Sequence, residues 1–110
     1  MSRRLAVFVV AAGTFACLVL PAQADTKLAV PDARERAARY AETTCEHDAS
    51  CARAGVQSCR RHADRVILCR IFDHRKTEEQ GNFICTRLVR LSQKPLSAQI
   101  LVTGVSDWTC

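Results

Sequence analysis

Base, acid and cation types crowd one stretch of the chain, Asp73-His74-Arg75-Lys76-Thr77-Glu78-Glu79-Gln80-Gly81. A loop of that composition offers proton acceptors, proton donors and phosphate-stabilising charge together, and Arg87 and Arg90 on the next segment could join them. Such a set suits acid-base cleavage of a phosphodiester. One reading is therefore a small secreted ribonuclease-like hydrolase using the His74, Glu78, Glu79 and Arg87 region. It would need a second proton-transfer group across a cleft, and His47 and His62 are the other histidines of the chain. The plainer reading of the same stretch is a solvated hairpin tip, and no residue is assigned a catalytic role.

Cys45-x-His47-x3-Cys51 and Cys59-x2-His62 supply thiol and imidazole ligands of the kind zinc takes. The Cys-x2-Cys knuckle of structural zinc sites is missing, however, and oxidised cysteines cannot ligate. No P-loop, nucleophile elbow, H-E-x-x-H or Ca²⁺-loop pattern occurs, nor the C-x-x-C of a thiol oxidoreductase. Neither a metal nor a cofactor is expected.

The address of the chain decides how its cysteines are read. Met1-Ser2-Arg3-Arg4 is a short cationic start, Leu5 to Leu20 is uncharged, and Ala22-Gln23-Ala24 supplies the small residues that signal peptidase cuts after. Residues 1–24 are read as a cleaved signal peptide of a bacterial protein, with a periplasmic or secreted product beginning at Asp25. Ala6 and Val7 do not continue a twin-arginine signal, and Thr14 and Phe15 do not precede Cys17 as a lipidation site requires. Cleavage would remove one of the seven cysteines and leave Cys45, Cys51, Cys59, Cys69, Cys85 and Cys110, an even set for an oxidising compartment. A domain of this size buries only roughly 60% of its unfolded surface, so three bridges worth ~2–4 kcal/mol each would be needed to hold it.

The elements that must carry these residues can be read from pattern. Residues 25–30 form a short lead. Asp32 as N-cap and Glu35 three residues on suggest a capping box for a helix from about Ala33 to His47, with Ala33, Ala37, Tyr40, Ala41, Thr44 and Cys45 on the face that packs. Val56 to Arg61, Arg65 to Phe72, Asn82 to Leu91 and Ser97 to Ser106 read as strands, separated by connections too short for parallel crossovers. The expected fold class is α+β: residues 25–110 form a single small disulfide-rich domain, one N-terminal helix packed on a four-stranded antiparallel meander. If Phe72 faces Asn82, Cys69 lies opposite Cys85, and the pairs expected are Cys45–Cys85, Cys51–Cys110 and Cys59–Cys69.

Both faces of that sheet are apolar. Val66, Leu68 and Phe72 alternate with Ile67, Cys69 and Ile71; Ile84 and Leu88 oppose Phe83, Cys85, Val89 and Leu91; Ile100 and Val102 oppose Leu101 and Val105. One helix covers one face. Residues Leu28 to Val30 and Trp108 could shield the other; failing that, Ile84 and Leu88 mark an interface for a protein partner or a homodimer.

Removal of residues 1–24 would take away two of the 16 Lys and Arg and none of the 11 Asp and Glu, leaving 14 against 11, a net of +3. That excess suits an anionic partner, but with few aromatics and no basic cluster in the sequence no specific nucleic acid is expected, and no stable membrane anchor remains after cleavage. The function expected is that of an exported bacterial binding module, an inhibitor or an envelope-protein partner. Mass spectrometry of protein recovered from cells should show a chain starting at Asp25, six hydrogens lighter than its reduced form. A species that keeps Met1, or starts at a lipid-modified Cys17, would contradict the export reading.

Overall fold

The computed structural model describes residues 27–110; the expected signal peptide, Cys17 and the start at Asp25 lie outside them. It consists of one helix, α1 (Val30–Glu46), followed by β1 (Cys51–Ala63), β2 (Val66–Thr77), β3 (Gly81–Gln93) and β4 (Ile100–Val105). The strands form one antiparallel sheet in the order β1-β2-β3-β4, so the domain is the expected α+β fold of a helix on a four-stranded meander.

Helix α1 begins earlier than its capping pattern suggests. Ala29 is the N-cap in extended conformation, without a side-chain cap, and Pro31 stands in the first turn, where its fixed φ and missing N–H cost nothing. Asp32 therefore sits inside the helix, where its charge favours the N-terminal dipole, and the Asp32–Glu35 capping box does not form. Of the face expected to pack, Ala33, Ala37 and Ala41 are buried at four-residue spacing, Tyr40 and Cys45 are half-buried, and Thr44 is exposed. The small alanine side chains let the helix lie close on Ile67, Cys69, Ile71, Val89 and Leu91. Arg34 Nη2 donates to the Val56 carbonyl on β1 and Arg36 Nε to the Ile100 carbonyl on β4, each at 3.3 Å, tying the helix to both edges of the sheet.

The strands run longer than hydrophobic pattern alone predicts. Residues 73–77, read from sequence as loop, continue β2, and the hairpin closes through Glu78-Glu79-Gln80 with Gly81 at φ +73°, a conformation side-chain-bearing residues rarely adopt. The register is consequently not the expected one. Phe72 pairs with Thr86 instead of Asn82, and Cys69 with Val89 instead of Cys85.

That difference, together with strand order, corrects two of the three expected disulfides, while Cys59–Cys69 is found as expected. The structure joins Cys45–Cys51, Cys59–Cys69 and Cys85–Cys110. Cys51–Cys110 is ruled out by topology, since Cys51 opens β1 while the C-terminal residues run along the far side of β3, three strand spacings or ~14 Å away. The expected Cys45–Cys85 pair fails because Cys45 meets Cys51 across the helix–strand turn, Cα–Cα 5.3 Å. Beyond β4, Thr109 exchanges both backbone hydrogen bonds with Thr86 at 2.8 Å, which lays Cys110 against Cys85. Each bridge closes a short loop, with sequence separations of 6, 10 and 25. In the loop-entropy description these are worth about 2 to 3.5 kcal/mol apiece.

A tryptic map of the unreduced protein separates the two pairing schemes. No Lys or Arg lies between Tyr40 and Ala52, so the peptide 40–53 should carry its own closed disulfide and link to nothing, while 77–87 should be found joined to 91–110. Peptide 40–53 cross-linked to either of the others would contradict the structure.

Candidate functional site

Alternation along the strands gives the sheet two faces of different chemistry. On the inner face Ile67, Cys69, Ile71, Cys85, Val89 and Leu91 are each 0–1% exposed beneath α1 and the C-terminal residues. Leu28 belongs to this side too: its N–H donates to the Asp64 carbonyl at 2.8 Å, and Arg61 Nη2 donates to the Leu28 carbonyl at 2.6 Å. Trp108 also packs on this side, with the Arg87 guanidinium 4.2 Å and that of Arg75 5.6 Å from its ring centroid. The expectation that Leu28 or Trp108 could shield the other face is thereby corrected. Val105 is corrected as well. A bulge between Gly104 and Val102 changes the phase of β4 and places Val105 opposite inward-facing Val89, away from the face of Leu101.

Where α1 ends, the inner face turns polar. Asp73 is buried, 4% exposed, and Arg75 grips it with two donors, Nη2 to Oδ2 at 2.8 Å and Nε to Oδ1 at 3.3 Å. Arg75 Nη1 reaches Asp48 Oδ2 at 2.8 Å and the Ser50 hydroxyl at 2.9 Å. The Ser50 hydroxyl and backbone N–H both donate to Asp48 Oδ1, and these bonds, followed by that from Arg75, hold the Asp48 carboxyl below its ordinary 3.8. Burial works against the Arg75 charge, yet its bonds to Asp73 and Asp48 outweigh this and raise its pKa. The cluster satisfies itself and fastens the 47–50 turn to β2, so its chemistry is structural.

The residues proposed for acid-base chemistry do not converge. His74 stands on the outer face of β2 between Arg53 and Ile84, while Arg87 faces inward against Trp108. Glu78 and Glu79 are exposed in the hairpin turn. His47 caps the C-terminus of α1, with Nδ1 2.8 Å from the Thr43 carbonyl, and His62 lies at the far end of β1, about 26 Å from His74 along the sheet. Cys45, Cys51 and Cys59 are in disulfides, which removes the thiolates a zinc site would use.

What the outer face presents is different. Arg53, Arg60, Arg70, Lys76 and Arg90 are exposed there, and no Asp or Glu occupies an outward position of any strand. Between the cations stand Val66, Leu68, Phe72, Ile84, Leu88 and Leu101, with Ile84 50% exposed and the others half-buried. Phe72 lies across Gly55, where a Cβ would come within 3.0 Å of the ring, and the Arg53 guanidinium sits 5.5 Å from its centroid. A side chain at that point would push the ring by a few tenths of an ångström from where it lies. No element among the described residues covers this face, and both Ile84 and Leu88 lie on it. The basic character escaped the sequence reading because the five cations are spread over three strands; only strand pairing collects them.

A groove of about 680 Å³ lies elsewhere, between α1 and the β3–β4 connection. Its lining mixes Asp32 and Glu35 with Arg36, Arg39 and Arg65, giving no single sign of charge. At its rim Leu96 is 86% exposed at φ 61°, in a turn closed by Ser97 N–H to the Lys94 carbonyl.

The Asp48–Arg75–Asp73 cluster predicts an acid sensitivity with a definite sign. Asp48 has a lowered folded pKa, so it contributes stability above 3.8 that is lost as pH falls through the lower folded value. Urea midpoints of Asp48→Asn should fall below those of the native chain at pH 7, and the gap should narrow below pH 3.8. Asp73→Asn, which takes from Arg75 the carboxylate it grips with two donors and leaves Asp48 as its counter-charge, should also lower the midpoint at pH 7. Equal midpoints at pH 7 would show that the cluster adds nothing. Comparisons with family models, curated proteins and solved structures find no match, which leaves the chain's own surface chemistry as the guide to its function.

Proposed function

We propose that the chain is an exported bacterial binding module, in the manner of an inhibitor or an envelope partner, that holds an anionic partner on the open face of its sheet without turning it over. The observation that carries this reading is the sign of that face: five exposed cations among apolar side chains, with no carboxylate at any outward strand position. A field of one sign speeds encounter with an opposite charge, and half-buried aliphatic groups between the charges add contact once the partner arrives. The face measures about 40 by 15 Å from strand length and spacing, near the ~800 Å² a specific partner covers.

The same charge pattern weighs against a homodimer through this face. Two copies would bring ten cations together with no counter-charge between them, which costs far more than Ile84 and Leu88 could return. A hydrolase reading has His74 to stand on, but among the described residues its cross-strand neighbours are Arg53 and Ile84 and not a second proton-transfer group.

Two variants with the same net charge test the proposal. Arg70→Glu/Arg90→Glu reverses two cations of the face, and Arg39→Glu/Lys94→Glu reverses two exposed cations away from it. On a polyanion resin the native chain and the second variant should elute at similar salt, and the first should elute far earlier. Equal losses in both variants would mean that net charge alone is responsible. Cleavage of RNA by the purified protein, abolished in His74→Ala, would overturn the reading in favour of the hydrolase.

A further inference from the structure

Resting on the binding-module reading, we infer that the partner is the anionic head-group layer of a lipid membrane, met by the flat outer face of the sheet in reversible contact. The arrangement of charge on that face carries the inference. Across the ladder, Arg60, Leu68 and Arg90 stand side by side on β1, β2 and β3, and Arg70 and Leu88 stand side by side in the next outward row. Arg60 and Arg90 therefore flank Leu68 while Arg70 lies diagonal to both, at about 7–8 Å between backbone positions. Farther along, Phe72 is succeeded by the row of Arg53, His74 and Ile84, and then by Lys76. Every cation has an apolar neighbour, and every apolar group has a cation within one row.

This interleaving suits a fluid surface better than a folded partner. A protein interface gathers apolar side chains in a dry centre and leaves charges to the rim, because each buried cation there needs a rigidly placed carboxylate. In a lipid head-group layer the phosphates move laterally to meet each guanidinium, while the intervening Leu68, Phe72, Ile84 and Leu88 reach the boundary with the acyl chains. Long arginine stems bury their methylenes and keep the charge at the phosphate level. Arg90 shows such a stem, lying across Gly104 with Cβ and Cδ at 3.5 and 3.8 Å from where a Cβ on that glycine would be. Single-stranded nucleic acid is the less suitable anion, since successive bases need several aromatic platforms and this face has Phe72 alone, one side of it resting on Gly55. No helix among the described residues is long and apolar enough to cross a membrane, so the contact proposed is peripheral.

Sedimentation of the disulfide-intact protein with vesicles tests this. The native chain should bind vesicles of phosphatidylcholine with about 30% phosphatidylglycerol, ignore pure phosphatidylcholine, and be released by 1 M salt, where screening acts within ~3 Å. Each face cation contributes about fivefold to such binding, so Arg70→Glu/Arg90→Glu should weaken it by at least ~25-fold, while Arg39→Glu/Lys94→Glu keeps most of it. Ile84→Ser/Leu88→Ser should weaken vesicle binding severalfold yet leave elution from the polyanion resin nearly unchanged, because only the membrane offers an apolar layer. A tryptic disulfide map and thermal midpoint for each variant identify any that merely misfolds, and Ile84→Ser alone, at a half-exposed position, serves if the double variant does. Resin or single-stranded RNA binding without vesicle binding would overturn the lipid assignment and keep the binding face. No binding to vesicles, RNA or resin would overturn both.

Discussion

The register of the two central strands governs most other features of this domain. It is set where the chain is tightest, at the Glu78-Glu79-Gln80 turn, because Gly81 accepts the left-handed backbone that closes it. Once Thr77 is paired with Gly81, Asp73 must lie opposite Cys85, Ile71 opposite Arg87 and Cys69 opposite Val89. The long β2 ladder in turn carries Arg75 out past the end of α1, to where Asp48 and Ser50 wait on the turn that leaves the helix. A looser hairpin would leave Asp73 and Arg75 in solvent and the 47–50 turn unfastened.

Stability is distributed around this hairpin according to what each region can bury. Beneath the helix, the alanine stripe and the aliphatic residues of β2 and β3 make a dry layer. Its extent is small, and elsewhere covalent and ionic ties replace it: Cys45–Cys51 at the helix exit, Cys59–Cys69 across the first hairpin, and Cys85–Cys110 holding the C-terminal residues on β3. Three disulfides are consistent with an oxidising extracellular environment. Trp108, held against Arg87 and Arg75, extends the cover over an inner face that the helix does not reach.

Among the described residues a single helix leaves the second face of the sheet bare, and the residues there combine attraction to anions with partial apolar burial. Paired with the absence of outward carboxylates, this makes the open face the place where the molecule has most to gain from a partner. His74 belongs to that same surface, beside Arg53 and Ile84.

The sequence by itself determined the order and type of the elements and most of their faces, though not where each element starts and stops. Helical spacing named a helix face that contains Ala33, Ala37 and Ala41, though it also included Thr44, which is exposed, and two-residue alternation assigned Ile67, Cys69 and Ile71 to one side and Leu68, Phe72, Ile84 and Leu88 to the other. Those strand assignments hold although the expected register was wrong, because the observed shift is four residues along β3, and an even slip returns every side chain to the same face. Val105 shows the converse, since one extra residue at the β4 bulge moved it across. Disulfide pairing had no such protection. It depends on which residues are directly opposed and which strands are neighbours, and both were decided by the Gly81 turn, the continuation of β2 through polar residues, and the antiparallel return of Thr109 along Thr86. The basic face was likewise settled only by tertiary structure, because Arg53, Arg60, Arg70, Lys76 and Arg90 are separated in sequence and become one surface through the pairing of three strands.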